Sequence, residues 1–330
     1  MSPIRILHAS DLHIAETPSL ISPFDKISPG TFVEAVTRRT FASSFDPSVL
    51  GRFTSFVHNN LGGRIDAVLL TGDIATTGLR HDLEVAYRFV TGPPHPVVQA
   101  VNTRMEPTLA GLRVPVWLLP GNHDRYVRTK LLDYSPGGRL FDHVFGTYWR
   151  GPVQTFGPVN GPDISAVVIA ADFNLKSKRD RRGRLGKYAQ GRVYPAILDQ
   201  LEQATIDARY EHAARGRAEA LAVVWAVHFP PKYPALSRTM QLIESHQLIR
   251  RANYCDISAL VAGHTHEPVR YSTPGMKFDV FCAGTVSQYY APHGNHFQII
   301  NLNANDEGEI IVSSENYRFS KMPASRFVKV

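Results

Sequence analysis

Residues 4–13 have the sequence IRILHASDLH, in which an apolar run from Ile4 to Ala9 is followed at once by Asp11 and His13. The same order, a short run rich in Val, Ile and Leu and then a polar cluster, recurs at residues 67–70, 114–119, 166–171, 221–227 and 257–262. Apolar runs this continuous are typical of parallel strands whose two faces are both covered by helices. The pattern therefore predicts an α/β fold.

Helix-like stretches separate these runs, at residues 47–60, 82–90, 97–112, 195–214 and 238–251. After residue 266 the pattern changes to short alternating runs, which predict antiparallel strands that complete a second sheet, at residues 269–271, 277–282, 296–302 and 310–314. Residues 147–162 are predicted to be a loop. We expect one domain over residues 1–330, with an inserted cap or lid-like segment at about 16–45 and a C-terminal antiparallel strand region at about 267–317.

Composition excludes several classes of protein. The chain has 330 residues, 43% of them hydrophobic, so a disordered chain is excluded. Its two cysteines, Cys255 and Cys282, can form one bridge at most, which excludes a disulfide scaffold. No apolar run is long enough to span a membrane, and no signal peptide is recognised, so we expect a cytoplasmic protein without a membrane partner.

The net charge of +7 is concentrated in one segment, since residues 176–187 read KSKRDRRGRLGK. This basic segment is interpreted as an exposed loop, either simply solvated or forming a rim that attracts phosphate. Nucleic acid is a weaker candidate partner, because no recognisable binding motif accompanies the charge. The sequence leaves the oligomeric state open.

Five polar clusters follow the predicted strands, namely Asp11-Leu12-His13, Gly72-Asp73, Gly121-Asn122-His123-Asp124, His228 and Gly263-His264-Thr265-His266. Because the carboxyl ends of strands in an open α/β sheet form one crevice, these clusters are expected to converge. They supply carboxylate, amide and imidazole ligands without cysteine, which suits borderline or hard divalent metals. The ligands are too many for one tetrahedral ion and suit a pair of ions, an arrangement used in phosphoryl transfer.

In order, these clusters read D-x-H, G-D, G-N-H-D, H and G-H-x-H, and with them the sequence resembles the calcineurin-like metallophosphoesterase superfamily. The resemblance implies a four-layer α/β/β/α sandwich of two mixed sheets flanked by helices, with a dinuclear metal centre. By motif position it assigns Asp11, His13 and His266 to the first metal, Asn122, His228 and His264 to the second, and Asp73 to both. The two ions would be divalent or trivalent, and Fe, Mn, Zn and Co all accept these ligands.

The resemblance also implies that His123 faces the phosphoryl group instead of binding metal, and that Asp124 orients it. Hydrolysis of an anionic diester needs charge neutralisation, a nucleophile formed near neutral pH and help for the leaving alkoxide. Two metal ions answer the first two needs, and an imidazole answers the third. The expected mechanism is attack by a metal-bridging hydroxide while His123 assists the leaving oxygen.

Within the superfamily, the pattern is nearest to the bacterial class III cyclic nucleotide phosphodiesterases and the related glycerophosphodiesterases. The expected substrate is therefore a small phosphodiester, with cyclic nucleotides first. The alternatives are a phosphomonoesterase, a pyrophosphatase or a nuclease of the same superfamily, and an inactive scaffold is disfavoured because no motif residue is substituted. Candidate substrate-binding residues, against the alternative of surface or turn positions, are Arg125, Tyr126, Asn174 and His81.

Overall fold

Two six-stranded mixed sheets lie face to face in the computed structural model of the chain. The structure describes residues 2–15, 45–92, 108–130, 133–136, 140–174, 191–233, 242–288, 291, 293–321 and 325–330, without the side chains of 126–130 and 133–136. The predicted insert at 16–45, apart from Phe45, and the basic segment 176–187 fall outside the described residues.

The strands of the described part carry the labels β1 (Ile4–Ala9), β2 (Ala67–Thr71), β3 (Val116–Leu119), β4 (Tyr126–Lys130), β5 (Asp133–Pro136), β6 (Val153–Asn160), β7 (Ile164–Ala171), β8 (Ala220–Val227), β9 (Ala259–Ala262), β10 (Val269–Tyr271), β11 (Asp279–Cys282), β12 (His296–Ala304), β13 (Ile310–Ser320) and β14 (Arg326–Lys329). The first sheet has the order β14-β13-β12-β1-β2-β3, and the second β10-β11-β9-β8-β7-β6. Strands β4 and β5 form a separate pair. Strands β1, β2, β8 and β9, which precede four of the polar clusters, lie inside their sheets. Strand β3, which precedes the remaining cluster, lies at an edge of the first sheet.

The helices carry the labels α1 (Pro47–Phe56), α2 (Arg80–Thr91), α3 (Leu140–Val144), α4 (Pro195–Ala214) and α5 (Ser245–Tyr254). Helix α1 begins as the sequence predicts, because the Asp46 carboxylate accepts hydrogen bonds from the backbone N–H groups of Ser48 and Val49 and proline follows the cap. It packs on the first sheet, where the ring of Phe53 contacts that of Phe297 on β12. Helices α4 and α5 cover the outer face of the second sheet.

Strand β7 shows how the layers are separated. Its residues are buried along its whole length, as predicted for a strand covered on both faces. Val167 and Ile169 pack outward with Leu198 and Leu201 of α4. The residues that alternate with them, including Ala166, Val168 and Ala170, pack inward with the first sheet. The predicted α/β/β/α sandwich is thereby confirmed.

The C-terminal strands differ from the prediction that they would complete a second sheet. Strands β10 and β11 join the second sheet, with β11 parallel to β9. Strands β12, β13 and β14 join the first sheet instead, where β12 runs antiparallel to β1 with Ile4 opposite Leu302. The open edge of β1 is filled by this hairpin. Alternation in a sequence indicates a strand, but it does not specify which edge the strand pairs with.

Two other predicted elements have different bounds. Residues 153–160, predicted as loop, form edge strand β6, whose ladder shifts register between Phe156 and Val159 around Gly157-Pro158. An edge strand tolerates proline at such an irregularity. The Gly-Pro pair is typical of a loop, so the sequence pattern did not indicate this strand. Of the helix predicted at 97–112, the described part shows a 3₁₀ turn at Leu109–Gly111. Within the described residues, no helix is long and apolar enough to cross a membrane.

Candidate metal centre

The five polar clusters meet at the carboxyl ends of β1, β2, β3, β8 and β9. Backbone bonds join the segments after β1 and β2, with Asp11 N donating to Gly72 O at 3.0 Å and His13 N to Asp73 O at 2.9 Å. A further bond crosses between the sheets, since His264 N donates to Asp11 Oδ2 at 2.9 Å. The convergence predicted from strand polarity is therefore present, and it places the clusters between the two sheets.

The residues assigned to the first metal form one group. Asp11, His13 and His266 each offer a ligand atom, and these three atoms lie within 4.8 Å of one another. Asp11 Oδ1 is 3.0 Å from His266 Nε2 and 3.8 Å from His13 Nε2. Because backbone amide His264 N holds the other oxygen of Asp11, Oδ1 is left facing the two imidazoles.

A second group contains Asp73, His228 and His264, whose ligand atoms also lie within 4.8 Å of one another. Asn122 belongs with it, because Asn122 Oδ1 is 3.0 Å from His228 Nε2. His228 Nδ1 donates to the carbonyl oxygen of Thr71 at 2.8 Å. That bond fixes the hydrogen on Nδ1, so Nε2 is the atom of His228 that faces the group.

Asp73 connects the two groups. It also lies in an overlapping group with His13 and His123, so the ligand atoms form one continuous cluster. Buried carboxylate, amide and imidazole donors without a thiolate suit Fe, Mn, Zn or Co. The residues present therefore fit a dinuclear centre, with Asp73 in the position to be shared by both ions.

The backbone at this cluster is strained. Asp11, His13, Asp73, His264 and His266 all have positive φ, between 50° and 67°, a region that residues other than glycine rarely adopt. Each such residue costs of order 1 kcal/mol, and such strain is concentrated at functional sites. The local backbone preference of these residues therefore opposes the conformation that presents the ligands, and the surrounding contacts hold it.

His123 lies beside the cluster in a defined orientation. Its Nδ1 donates to the Thr76 carbonyl at 2.8 Å, and its backbone N–H donates to Asp73 Oδ1 at 2.8 Å. Since a carbonyl only accepts, Nδ1 carries the hydrogen. Nε2 then lies on the side of the ring towards the cluster, 4.0 Å from Asp73 Oδ2. The His123 side chain is 15% exposed, whereas that of His13 is fully buried.

Asp124, which is predicted to orient His123, contacts backbone N–H groups in the structure. Its carboxylate accepts hydrogen bonds from the backbone N–H groups of Gly121, Ile74 and Ala75 at 2.8, 3.2 and 2.8 Å. It thereby joins the segments after β2 and β3, which carry Asp73 and His123, while the Thr76 carbonyl orients the His123 ring. Burial and the charge of Asp73 raise the pKa of Asp124 to about 7.

The charges of the cluster are mutually stabilised. Burial would raise the pKa of Asp73, but the surrounding histidines, with His228 foremost, hold it well below its usual range. Burial likewise opposes protonation of His228, yet Asp73 raises the pKa of His228 to about 9. His264 behaves differently, because burial lowers its pKa to about 3. His264 is therefore neutral, as a metal ligand must be, at every working pH.

Metal uptake is expected to release about one proton from His228. Below pH 9 the metal-free site holds that proton, and a metal requires the neutral imidazole. The apparent association constant should therefore rise about tenfold per pH unit between pH 6 and pH 8. Calorimetric titration of chelator-stripped protein with Zn²⁺, in two buffers with different ionisation enthalpies, measures the released protons. Identical binding enthalpies in both buffers would contradict this expectation.

The guanidinium of Arg125 is buried and bound by carboxylates. Its Nε and Nη2 donate to Asp172 Oδ2 at 3.1 and 2.7 Å, and Nη2 also donates to Asp142 Oδ1 at 2.7 Å. The guanidinium is 7% exposed and lies over the ring of Phe141. This candidate substrate residue thus takes part in an ion-pair network that joins the segment after His123 to the end of β7.

Replacing Asp172 by Ala is expected to lower the free energy of unfolding by about 3 kcal/mol, because it removes the carboxylate that accepts two hydrogen bonds from the buried guanidinium of Arg125. Urea denaturation measures this loss. The matched control is Asp199→Ala, which removes a 65% exposed carboxylate from Arg251 and should cost no more than about 1 kcal/mol. Equal losses in the two variants would show that the Arg125–Asp172 ion pair stabilises the fold no more than the exposed Arg251–Asp199 pair does.

The remaining candidate substrate residues occupy different places. Asn174 is buried, and its Nδ2 donates to the carbonyl of Pro120 at 3.2 Å and to Asp172 Oδ1 at 2.6 Å. It therefore supports the segment that carries Asn122 and His123. His81 is an exposed residue in the first turn of α2, and no contact of it with the cluster is seen among the described residues. The side chain of Tyr126 falls outside the described part.

Sequence reasoning missed two threonines that orient site histidines. Thr71 O accepts from His228 Nδ1, and Thr76 O accepts from His123 Nδ1. Thr76 also donates its hydroxyl to the carbonyl oxygen of His13. Both act mainly through backbone carbonyls, for which the side chain gives no signal. Their place one residue before and three residues after Gly72-Asp73 is the one clue the sequence holds.

By sequence and by fold, the chain is similar to known proteins. A model of the family described as calcineurin-like phosphoesterase matches residues 4–268. No curated protein matches the chain. Among solved structures, a dimetal phosphatase from Danio rerio is 14% identical, with a TM-score of 0.53, over 99% of this chain and 98% of that one. The sulfate thiohydrolase SoxB from Thermus thermophilus is 15% identical, with a TM-score of 0.46, over 95% of this chain and 56% of that one.

Proposed function

The chain belongs to the calcineurin-like phosphoesterase family, and from that premise we propose that it is a metal-dependent phosphodiesterase that hydrolyses small diesters, with cyclic nucleotides first. One observation carries the proposal: seven candidate metal ligands converge in one cluster with His123 beside it. Metal ions bound there supply charge neutralisation at the phosphoryl oxygens and lower the pKa of bound water.

The chain's own residues complete the chemistry. The Thr76 carbonyl keeps the hydrogen of His123 on Nδ1, so the Nε2 side of the ring is left to exchange a proton with the leaving oxygen. Asp73 accepts from the His123 backbone N–H, which fixes the distance between this imidazole and the shared carboxylate. Asp11, Asp73 and His228 are buried, so these ligands are shielded from bulk water.

Among the described residues, which leave out the basic segment 176–187, the charge near the cluster favours a diester over a monoester. A monoester carries up to two negative charges near neutral pH and a diester carries one, so a monoesterase profits more from an additional cation at the phosphate. The arginine that follows the site histidine, Arg125, is buried and bound to Asp172 and Asp142 instead of facing the cluster. Cyclic nucleotides are the first candidates because the motif pattern is nearest to that of their phosphodiesterases.

The test uses protein stripped with a chelator and reconstituted separately with Mn²⁺, Zn²⁺, Co²⁺ and Fe²⁺. Substrates are bis(p-nitrophenyl) phosphate, p-nitrophenyl phosphate, 3′,5′-cyclic AMP, a pyrophosphate and a single-stranded oligonucleotide. We expect kcat/KM for the diesters to exceed that for the monoester by at least about tenfold, a difference of about 1.4 kcal/mol in transition-state binding. Preference for the monoester, the pyrophosphate or the oligonucleotide would assign the alternative activities. Metal binding without turnover of any of them would indicate a scaffold.

A further inference from the structure

The segment at residues 283–288, AGTVSQ, follows β11 and runs beside the segment that carries Asp11 and His13. Thr285 Oγ1 donates to Asp11 O at 2.7 Å, and the Ser287 hydroxyl donates to Leu12 O. Both hydroxyl residues are fully buried. They satisfy carbonyls in a stretch whose backbone is strained, so this segment stabilises the conformation that presents the first group of ligands.

Gln288 ends this segment and contacts a candidate ligand directly. Its Oε1 lies 2.9 Å from His266 Nδ1, and the residue is 3% exposed. The position of Gln288 is fixed from two sides. Its backbone N–H donates to Asn295 Oδ1 at 2.8 Å, and its backbone pairs with Phe45. The amide is therefore held in place before any metal binds.

The contact selects one tautomer of His266. An amide oxygen only accepts, so this bond needs a hydrogen on Nδ1 and leaves Nε2 as the ring atom that can bind a metal. Nε2 is the atom that faces the first group, 3.0 Å from Asp11 Oδ1 and 3.4 Å from His13 Nε2. A partner that fixes the tautomer and ring orientation of a ligating histidine is worth about 10- to 100-fold in metal affinity.

We propose that Gln288 is a positioning residue that holds His266 with its Nε2 lone pair towards the first metal and thereby controls loading of that metal. The inference rests on the proposed function, since it requires the dinuclear centre. Gln288 lies outside the five motif clusters, so the motifs do not indicate this role. The neutral amide leaves the net charge of the site unchanged, whereas a carboxylate in its place would add a negative charge.

The experiment compares three variants of the full chain in a titration of chelator-stripped protein with Mn²⁺, with bound metal measured by mass spectrometry. Gln288→Leu, which keeps the bulk and removes the acceptor, should weaken one of the two binding steps about 10- to 100-fold. Gln288→Glu, which keeps the acceptor, should bind both ions at least as tightly as the wild type. Gln298→Leu is the matched control, because Gln298 is 2% exposed and its amide lies 2.9 Å from Nδ1 of His8, which is not a candidate ligand. It should leave both steps unchanged.

A second readout does not depend on loading or on the stability of a variant. In ¹⁵N-histidine spectra of the metal-free wild type, His266 should show the hydrogen on Nδ1. The Nε2–H tautomer there would overturn the proposal, as would wild-type loading of Gln288→Leu or a Gln288→Glu variant as weak as Gln288→Leu. Wild-type protein that binds two ions yet cleaves no diester would refute the proposed function alone. Wild-type protein that binds no metal would refute both.

Discussion

Replacing His123 by Ala is expected to lower kcat for a diester about a thousandfold while both metals stay bound, because general acid catalysis by a positioned imidazole contributes about 10²- to 10⁴-fold. The geometry supports this division of roles. The ring is fixed through Nδ1 by the Thr76 carbonyl, and its side chain is partly exposed, in contrast to the fully buried His13 beside it. Steady-state kinetics and metal analysis on the same preparation measure the two quantities.

The metal analysis also decides between two roles for His123, because its ring nitrogen lies within 4.8 Å of ligand atoms of His13 and Asp73. A variant that loses one metal together with its activity would make His123 a ligand. A variant with unchanged kcat would remove it from the chemistry. The matched control is His212→Ala, since the His212 ring also bonds a backbone carbonyl, that of Glu219. Glu219 directly precedes β8, so this bond lies at the amino end of the strand, away from the cluster at its carboxyl end. Its kcat should equal that of the wild type.

The candidate site could be predicted from the sequence to the extent that its chemistry lies in contiguous motifs. Asp11 and His13 follow β1 directly, and His264 and His266 follow β9, so the polarity of parallel strands brings them to one edge. No distance information is needed for that step. The same reasoning predicted the covering helices, because strands buried on both faces require a layer on each side.

The parts that were not predicted depend on contacts between distant segments. Thr76 orients His123 through a carbonyl oxygen, a group that every residue possesses, so the motif suggested Asp124 instead. Arg125 follows the motif and was a candidate substrate contact, with a surface position as the alternative, and in the structure Asp172 and Asp142 bind its guanidinium. A sequence gives the charge of such a residue without giving its partner.

Replacing Gly121 by Ala is expected to disrupt the metal pair without removing any ligand. A Cβ on Gly121 would lie 2.2 Å from Asp73 Oδ1 and 2.3 Å from Asp73 N, far inside the contact limit. Asp73 must then move by about 1 Å, and a displacement of that size costs about 100-fold in rate. Because Asp73 is the carboxylate placed to be shared, we expect bound metal to fall from two ions to one or none, with kcat/KM reduced at least about 100-fold.

The control for this steric argument is Gly151→Ala, where the nearest atom to the new Cβ is Val153 O at 3.9 Å, an ordinary contact. That variant should keep the wild-type metal content and kcat/KM. If Gly121→Ala also keeps two ions, the segments after β2 and β3 separate more easily than the three amide bonds to Asp124 imply. Adding Asp124→Ala would then be expected to remove the metals, since the carboxylate that joins these segments would be gone. If Gly121→Ala loses metal while its free energy of unfolding in urea stays at the wild-type value, the loss is caused by displacement of Asp73 and not by unfolding of the protein.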